Sequence, residues 1–157
     1  MKKVLVIISA LIIHSVDGFT QSNAFDITID YQGIYEWGWS VLVVDSDSYL
    51  VTGSGGDSLF NNDGLIYNLK LNGELNSFNQ ISRDGHDFYV GLSGSAKKTL
   101  DNNFIVAGGV NKDNPLDQDA LLVKYNQFGD TLFVKYNGNV FDNFYNSAIL
   151  SDGGYAL

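Results

Sequence analysis

An all-β fold built from repeated four-stranded antiparallel meanders is the architecture this sequence predicts. Three observations predict it. First, text recurs at a near-constant spacing. Asp63 to Gly73 (DGLIYNLKLNG) returns as Asp119 to Gly129 (DALLVKYNQFG); Asp119 minus Asp63 and Gly129 minus Gly73 are both 56. Tyr49 to Gly53 (YLVTG) returns as Phe104 to Gly108 (FIVAG), and 104 minus 49 is 55. A third copy opens at Ser151-Asp152-Gly153-Gly154-Tyr155. Recurrence at a fixed period of this size marks a repeat architecture. Second, the apolar runs alternate with period two or are short and β-branched, and no helical period is sustained past the leader. Third, 17 Gly and one Pro, with abundant Asn, Asp and Ser, supply turn chemistry at short intervals.

The 157 residues set a prior of one domain. With 45% hydrophobic and 13% aromatic residues, the chain has enough apolar surface to pack a core. Cysteine is absent, so thiolate zinc sites, thiol nucleophiles, disulfide staples and a lipoprotein anchor are all excluded. The net charge of −9 offers no basic surface for nucleic acid and indicates an acidic, solvated exterior.

Met1-Lys2-Lys3 followed by Val4 to Ile13 (VLVIISALII) reads as the positive and apolar regions of a signal peptide over residues 1–18. The apolar run is too short to span a bilayer, so no transmembrane segment is expected in the mature form. Val16-Asp17-Gly18 places cleavage after Gly18, and a cut as late as Ser22 is equally compatible. Removal of Lys2, Lys3 and Asp17 would leave 7 basic and 17 acidic residues, a net charge of −10, with His86 as the remaining histidine. The expected address is secreted or cell-surface.

Phe25 to Asp30 alternates as a half-buried strand does. The first unit spans about residues 36–82. Ser40 to Val44 is a continuous apolar strand, Asp45 to Ser48 a polar turn, and Tyr49 to Gly53 the returning strand. Ser54 to Asn62 reads as a Gly- and Asn-rich loop. Asp63 to Leu71 is the third strand, Asn72-Gly73 a type I′ hairpin turn, and Leu75 to Ile81 the fourth strand. The second unit, about 83–138, repeats this plan. Arg83 to Ser95 connects the units and includes a short strand at Phe88-Tyr89-Val90. Ala96 to Gly108 forms the hairpin, Gly109 to Gln118 the polar loop, Asp119 to Tyr125 the third strand and Thr131 to Tyr136 the fourth. A stub occupies about 139–157, and Asp142 matches Asp87 at an offset of 55.

Four strands in about fifty residues is the size of a propeller blade. Such units bury their apolar faces only by stacking, and closure takes four to eight blades. About two blades and a stub therefore read as the N-terminal part of a longer chain.

The residues Asp152-Gly153-Gly154-Tyr155, Phe104-Ile105-Val106-Ala107-Gly108, Asp119 to Lys124 and Gly129-Asp130 make up a recurring pattern. It is a DGG-type turn, an aromatic, aliphatics, Ala-Gly, a polar loop, Asp, an apolar strand ending in Lys, and a Gly-Asp turn. In this pattern, residues 36–157 resemble the β-propeller-type repeats of large secreted Bacteroidetes proteins. The first copy departs from it at Asp45 to Ser48 and at Asn68. The resemblance implies a propeller fold and export, often with a C-terminal secretion-system sorting domain, and implies no activity.

Candidate chemistry is sparse. Asp113, Asp117 and Asp119 offer hard oxygen ligands of the kind calcium takes, without EF-hand spacing and beside Lys112. Ordinary loop solvation, with strand-start hydrogen bonding by Asp119, is the preferred reading of them. No other cofactor is expected. His86, flanked by Asp84 and Asp87, has an acid–base side chain, yet no second histidine, cysteine or serine elbow completes a triad. A glycosidase-like Asp84/Asp87 pair is the other acid–base reading. Tyr35, Trp37 and Trp39 would stack on a sugar, anchor a partner, or fill a seam between blades. No catalytic residue is assigned. The function expected is a non-catalytic binding or scaffold module for an extracellular glycan or protein. The alternative is a glycan-active hydrolase with its catalytic residues in blades outside this sequence. The variable segments Ser54 to Asn62 and Gly109 to Gln118 are the expected binding surface.

Overall fold

The computed structural model describes residues 35–56, 62–112, 114–138, 142 and 144–156, with the side chains of 35 and 114–116 left aside. The leader, the Phe25 to Asp30 strand and part of the Ser54 to Asn62 segment lie outside the described residues. Among those described, the fold is all-β and its regular pairing is antiparallel.

Unit one is a meander of β1 (Tyr35–Val43), β2 (Ser48–Gly56), β3 (Asn62–Lys70) and β4 (Leu75–Ile81), in that spatial order. Unit two repeats it with β5 (His86–Val90), β6 (Lys97–Lys98), β7 (Phe104–Lys112), β8 (Asn114–Tyr125) and β9 (Thr131–Asn137). Both β5 and β6 pair with β7, so together they fill the place of β1. Between them the chain leaves the ladder through a 3₁₀ turn at Leu92–Gly94. The expected connector strand and first hairpin strand are therefore two halves of one interrupted edge strand. A two-stranded hairpin, β10 (Ala148–Ile149) and β11 (Tyr155–Ala156), begins the third copy.

Irregularities repeat with the strands. The β3–β4 ladder shifts register after Asn68, and the β8–β9 ladder shifts after Lys124, its equivalent 56 residues on. The turns also share one design. Gly73 donates to Lys70 O and Lys70 to Glu74 O; Gly129 donates to Asn126 O and Asn126 to Asp130 O; Gly153 donates to Leu150 O and Leu150 to Gly154 O. Each of these glycines has φ between 84° and 88°. That is a type I turn closed by a left-handed glycine, rather than the type I′ turn expected at Asn72-Gly73. The reason is local: Asn72 keeps a negative φ, and its side chain accepts the Glu74 N–H at 3.1 Å, so the glycine alone supplies the left-handed residue.

The polar segment Gly109 to Gln118 is not a loop. The β7–β8 ladder continues through Val110–Asp119 and Asn111–Gln118 to Lys112–Asn114. Asn111 and Gln118 are buried within this ladder.

One core runs through both units. Val44, Leu50, Ile66 and Ile81 from unit one pack with Phe88, Val90, Phe104, Val106, Leu121, Val123 and Tyr125 from unit two. The sheets meet closely because Gly64 has no side chain: a Cβ there would lie 2.5 Å from Val90 Cγ2. Polar bonds cross the seam at both ends. At one end Asn62 N donates to Asp87 Oδ1 (2.8 Å), Val90 N to Ser54 Oγ (3.3 Å) and Ala96 N to Ser40 Oγ (3.1 Å). At the other, Asn68 Nδ2 donates to Gln127 O (2.6 Å), Asn79 Nδ2 to Gly129 O (3.2 Å) and Ser77 Oγ to Phe128 O. At the first end the bonds are buried, and each backbone N–H would otherwise be left without a partner there, which is why polar side chains are retained.

Buried serines recur at the junctions. Ser40 and Ser95 hold the same place in units one and two, and Ser147 in the third copy falls one position along, at the place of Ala96. Ser147 Oγ donates to Ser95 O at 2.8 Å, while Ala96 N donates to Ser40 Oγ. The single peptide joining Ser95 to Ala96 is thus held on one side by unit one and on the other by the third copy.

Candidate functional site

Two of the three acidic candidates, Asp117 and Asp119, lie within the described residues. Asp113 lies outside the described residues. Asp117 and Asp119 both sit on β8. Asp119 is buried, and its carboxylate is paired with the Lys112 ammonium, which the contact raises above the usual lysine range. A lysine where a cation would bind neutralises the carboxylate directly. Among the described residues no group of three or more His, Cys, Asp or Glu side chains could hold a metal ion. We expect Lys112→Met to lower stability by about 1–2 kcal/mol, because a buried carboxylate loses a partner that is itself partly solvated. Adding Asp119→Asn should recover part of that loss. Thermal melts of the single and double variants check this, and equal losses in both would contradict it.

Asp101 plays a turn role. Its carboxylate accepts from Lys124, Thr99 and Asn103, and these bonds hold it well below the usual carboxylate range. Lys124 Nζ also lies 5.7 Å from the centre of the Tyr155 ring. The position held by Asn68 in unit one and Lys124 in unit two therefore reaches across to the following unit in both cases, by different chemistry.

The acid–base candidates separate. Asp87 is buried in the seam, where burial raises its pKa against the lowering effect of the Asn62 N–H. Asp84 is exposed, and its carbonyl accepts from His86 Nδ1 at 3.0 Å. The structure gives Asp87 a fastening task. The aromatic cluster separates as well. Trp39 Nε1 donates to Ser54 Oγ at 3.3 Å. Trp37 lies over a shallow groove of about 240 Å³ on the outward face of unit one, with Val51, Leu65, Tyr67 and Leu69. The Tyr35 side chain lies outside the described residues.

A larger cavity, of about 770 Å³, opens along the β9 edge. Its walls include Phe88, Leu122, Val134 and Phe144, and its polar members include Arg83, Lys135 and Tyr136. Sequence reasoning missed this grouping. Arg83 and Tyr136 are 53 residues apart in different parts of the repeat, and no spacing rule brings them together. The same cavity has a volume typical of small-ligand sites.

No helix among the described residues is long and apolar enough to cross a membrane. No protein-family model matches the chain, and a search of curated proteins finds no match.

Proposed function

We propose that the chain is an exported, non-catalytic repeat module that binds or scaffolds an extracellular glycan or protein. The observation that carries this reading is the use made of its buried polar groups. Ser40, Ser54, Asp87 and Ser95, which in a catalytic site would point at substrate, instead bond backbone across or beside the repeat junction. Stacked repeats of this kind present a rigid framework whose rims and seams are available for recognition. The signal-like leader and the resemblance to secreted propeller-type repeats support the extracellular address, and the repeated seam chemistry supports continuation of the stack into further units.

The test is a glycan and peptide panel presented to the purified protein, with turnover followed alongside binding. Binding without turnover is expected. Turnover abolished by a single Asp→Asn change would overturn the reading in favour of a glycan-active hydrolase.

A further inference from the structure

We propose that the cavity along the β9 edge is a binding site for a carboxylate-bearing ligand with an apolar body. The proposal deepens the binding-module reading and rests on it.

The charge distribution is the first argument. Acidic residues outnumber basic ones two to one, at 18 against 9. Lys70, Lys112 and Lys124 are each paired with a carboxylate. Arg83 has no carboxylate partner among the described residues and lines this cavity, while Lys135, also in its lining, holds its ammonium 5.1 Å from the centre of the Phe133 ring. An uncompensated guanidinium at an apolar cavity in an acidic protein favours an anionic guest.

The second argument is orientation. His86 Nδ1 faces the Asp84 carbonyl at 3.0 Å, and a carbonyl only accepts, so Nδ1 carries a proton. In the neutral ring Nε2 is then an acceptor, 3.5 Å from the Tyr136 hydroxyl. Tyr136 directs its proton there and receives Arg83 Nη1 on its oxygen. The guanidinium is thereby held by one of its five N–H groups; the others have no partner among the described residues and can bind a carboxylate in the two-pronged manner that planar guanidinium permits. Stacking of His86 on Phe88, with centres 6.1 Å apart, fixes the far end of the relay. A guanidinium positioned before the ligand arrives loses less freedom on binding.

The third argument is the wall. Leu122, Val134 and Phe144 present apolar and aromatic surface to the body of the guest, backed by the buried Phe88. Charge at the rim and apolar surface within match an amphiphilic acid better than inorganic anions.

The experiment titrates the full chain with phenylacetate and 4-phenylbutyrate, each beside its neutral amide, by heteronuclear NMR. Both carboxylates should bind, and their amides should bind at least tenfold more weakly, as loss of a charge-assisted bond implies. Arg83→Gln should weaken carboxylate binding by about tenfold or more with the melting temperature kept, and Tyr136→Phe should weaken it less. Added salt should lower the affinity. Equal binding of acid and amide, no shift in the cavity resonances at about 10 mM of either acid, or unchanged affinity in Arg83→Gln would each overturn the proposal. A carboxylate bound and then chemically altered would instead sink the non-catalytic reading while leaving the site intact.

Discussion

Gly108→Ala is expected to destabilise the protein by about 3 kcal/mol, at the upper end of overpacking costs, and to lower its melting temperature by about 10 °C. A Cβ at Gly108 would collide with the carbonyl oxygen of Tyr89, and a Cβ at Gly53, its equivalent 55 residues earlier, with the carbonyl oxygen of Trp37. Both obstacles are backbone atoms of the neighbouring strand, so no rotamer change relieves them. In both units the close approach falls next to the place where the first strand leaves regular pairing, at the Gly38/Ser40 shift and at the exit after Val90. Gly53→Ala should therefore behave alike. Gly38→Ala is the control: nothing lies within 4 Å of a Cβ there. It should change stability by no more than about 0.5–1 kcal/mol, since alanine only reduces the freedom of the unfolded chain. Chemical denaturation of the three variants reads this directly. A Gly108→Ala protein as stable as Gly38→Ala would contradict the packing described for the strand pair.

Tyr125 supplies the second large effect. It is fully buried, its ring stacks on Phe104 with centres 5.7 Å apart, and its hydroxyl has no hydrogen-bond partner among the described residues. Tyr125→Ala should cost about 3–5 kcal/mol through lost contacts and the cavity left behind. Tyr125→Phe should be neutral or stabilising, because it removes a buried donor that is never satisfied. The two variants together separate the ring's contribution from the hydroxyl's. The hydroxyl also predicts a pH dependence. Burial pushes the phenol pKa well above its ordinary value in the folded state. The unfolded chain ionises from about pH 10, where the folded one still holds its proton. The unfolded state then binds fewer protons, so stability falls as pH rises past about 10. Tyr125→Phe should flatten that alkaline loss relative to wild type. An unchanged alkaline slope would show that the ring is not buried as described.

Much of the fold is legible in the sequence because repetition is a long-range signal that needs no structural knowledge. The offsets of 55 and 56 correctly phase β2 with β7 and β3 with β8, and the alternation of Leu65, Tyr67 and Leu69 correctly assigns one face. What is not legible has physical causes. Gly108 reads as a strand end before a loop because glycine's composition signal is the same for a turn as for a close approach between strands. Polar residues such as Asn111 and Gln118 read as loop because a ladder that buries polar side chains looks hydrophilic in one dimension. Ser40, Ser95 and Ser147 escape notice because serine is ordinary in any strand, and only the bond across units gives it meaning. The cavity is hidden for a related reason: Arg83 comes from a connector, Phe88 from the strand after it, and Tyr136 from the last strand of the unit.

The central claim is that successive units are fastened into one body by side chains that bond backbone across the junction. Native-state hydrogen exchange of the amides of Asn62, Val90 and Ala96 tests it most directly. Their acceptors, Asp87, Ser54 and Ser40, all belong to the opposite unit. These three amides should exchange as slowly as the central β3 and β8 ladders, opening only with the whole body. Exchange as fast as that of the exposed turns, with β3 and β8 still protected, would contradict it.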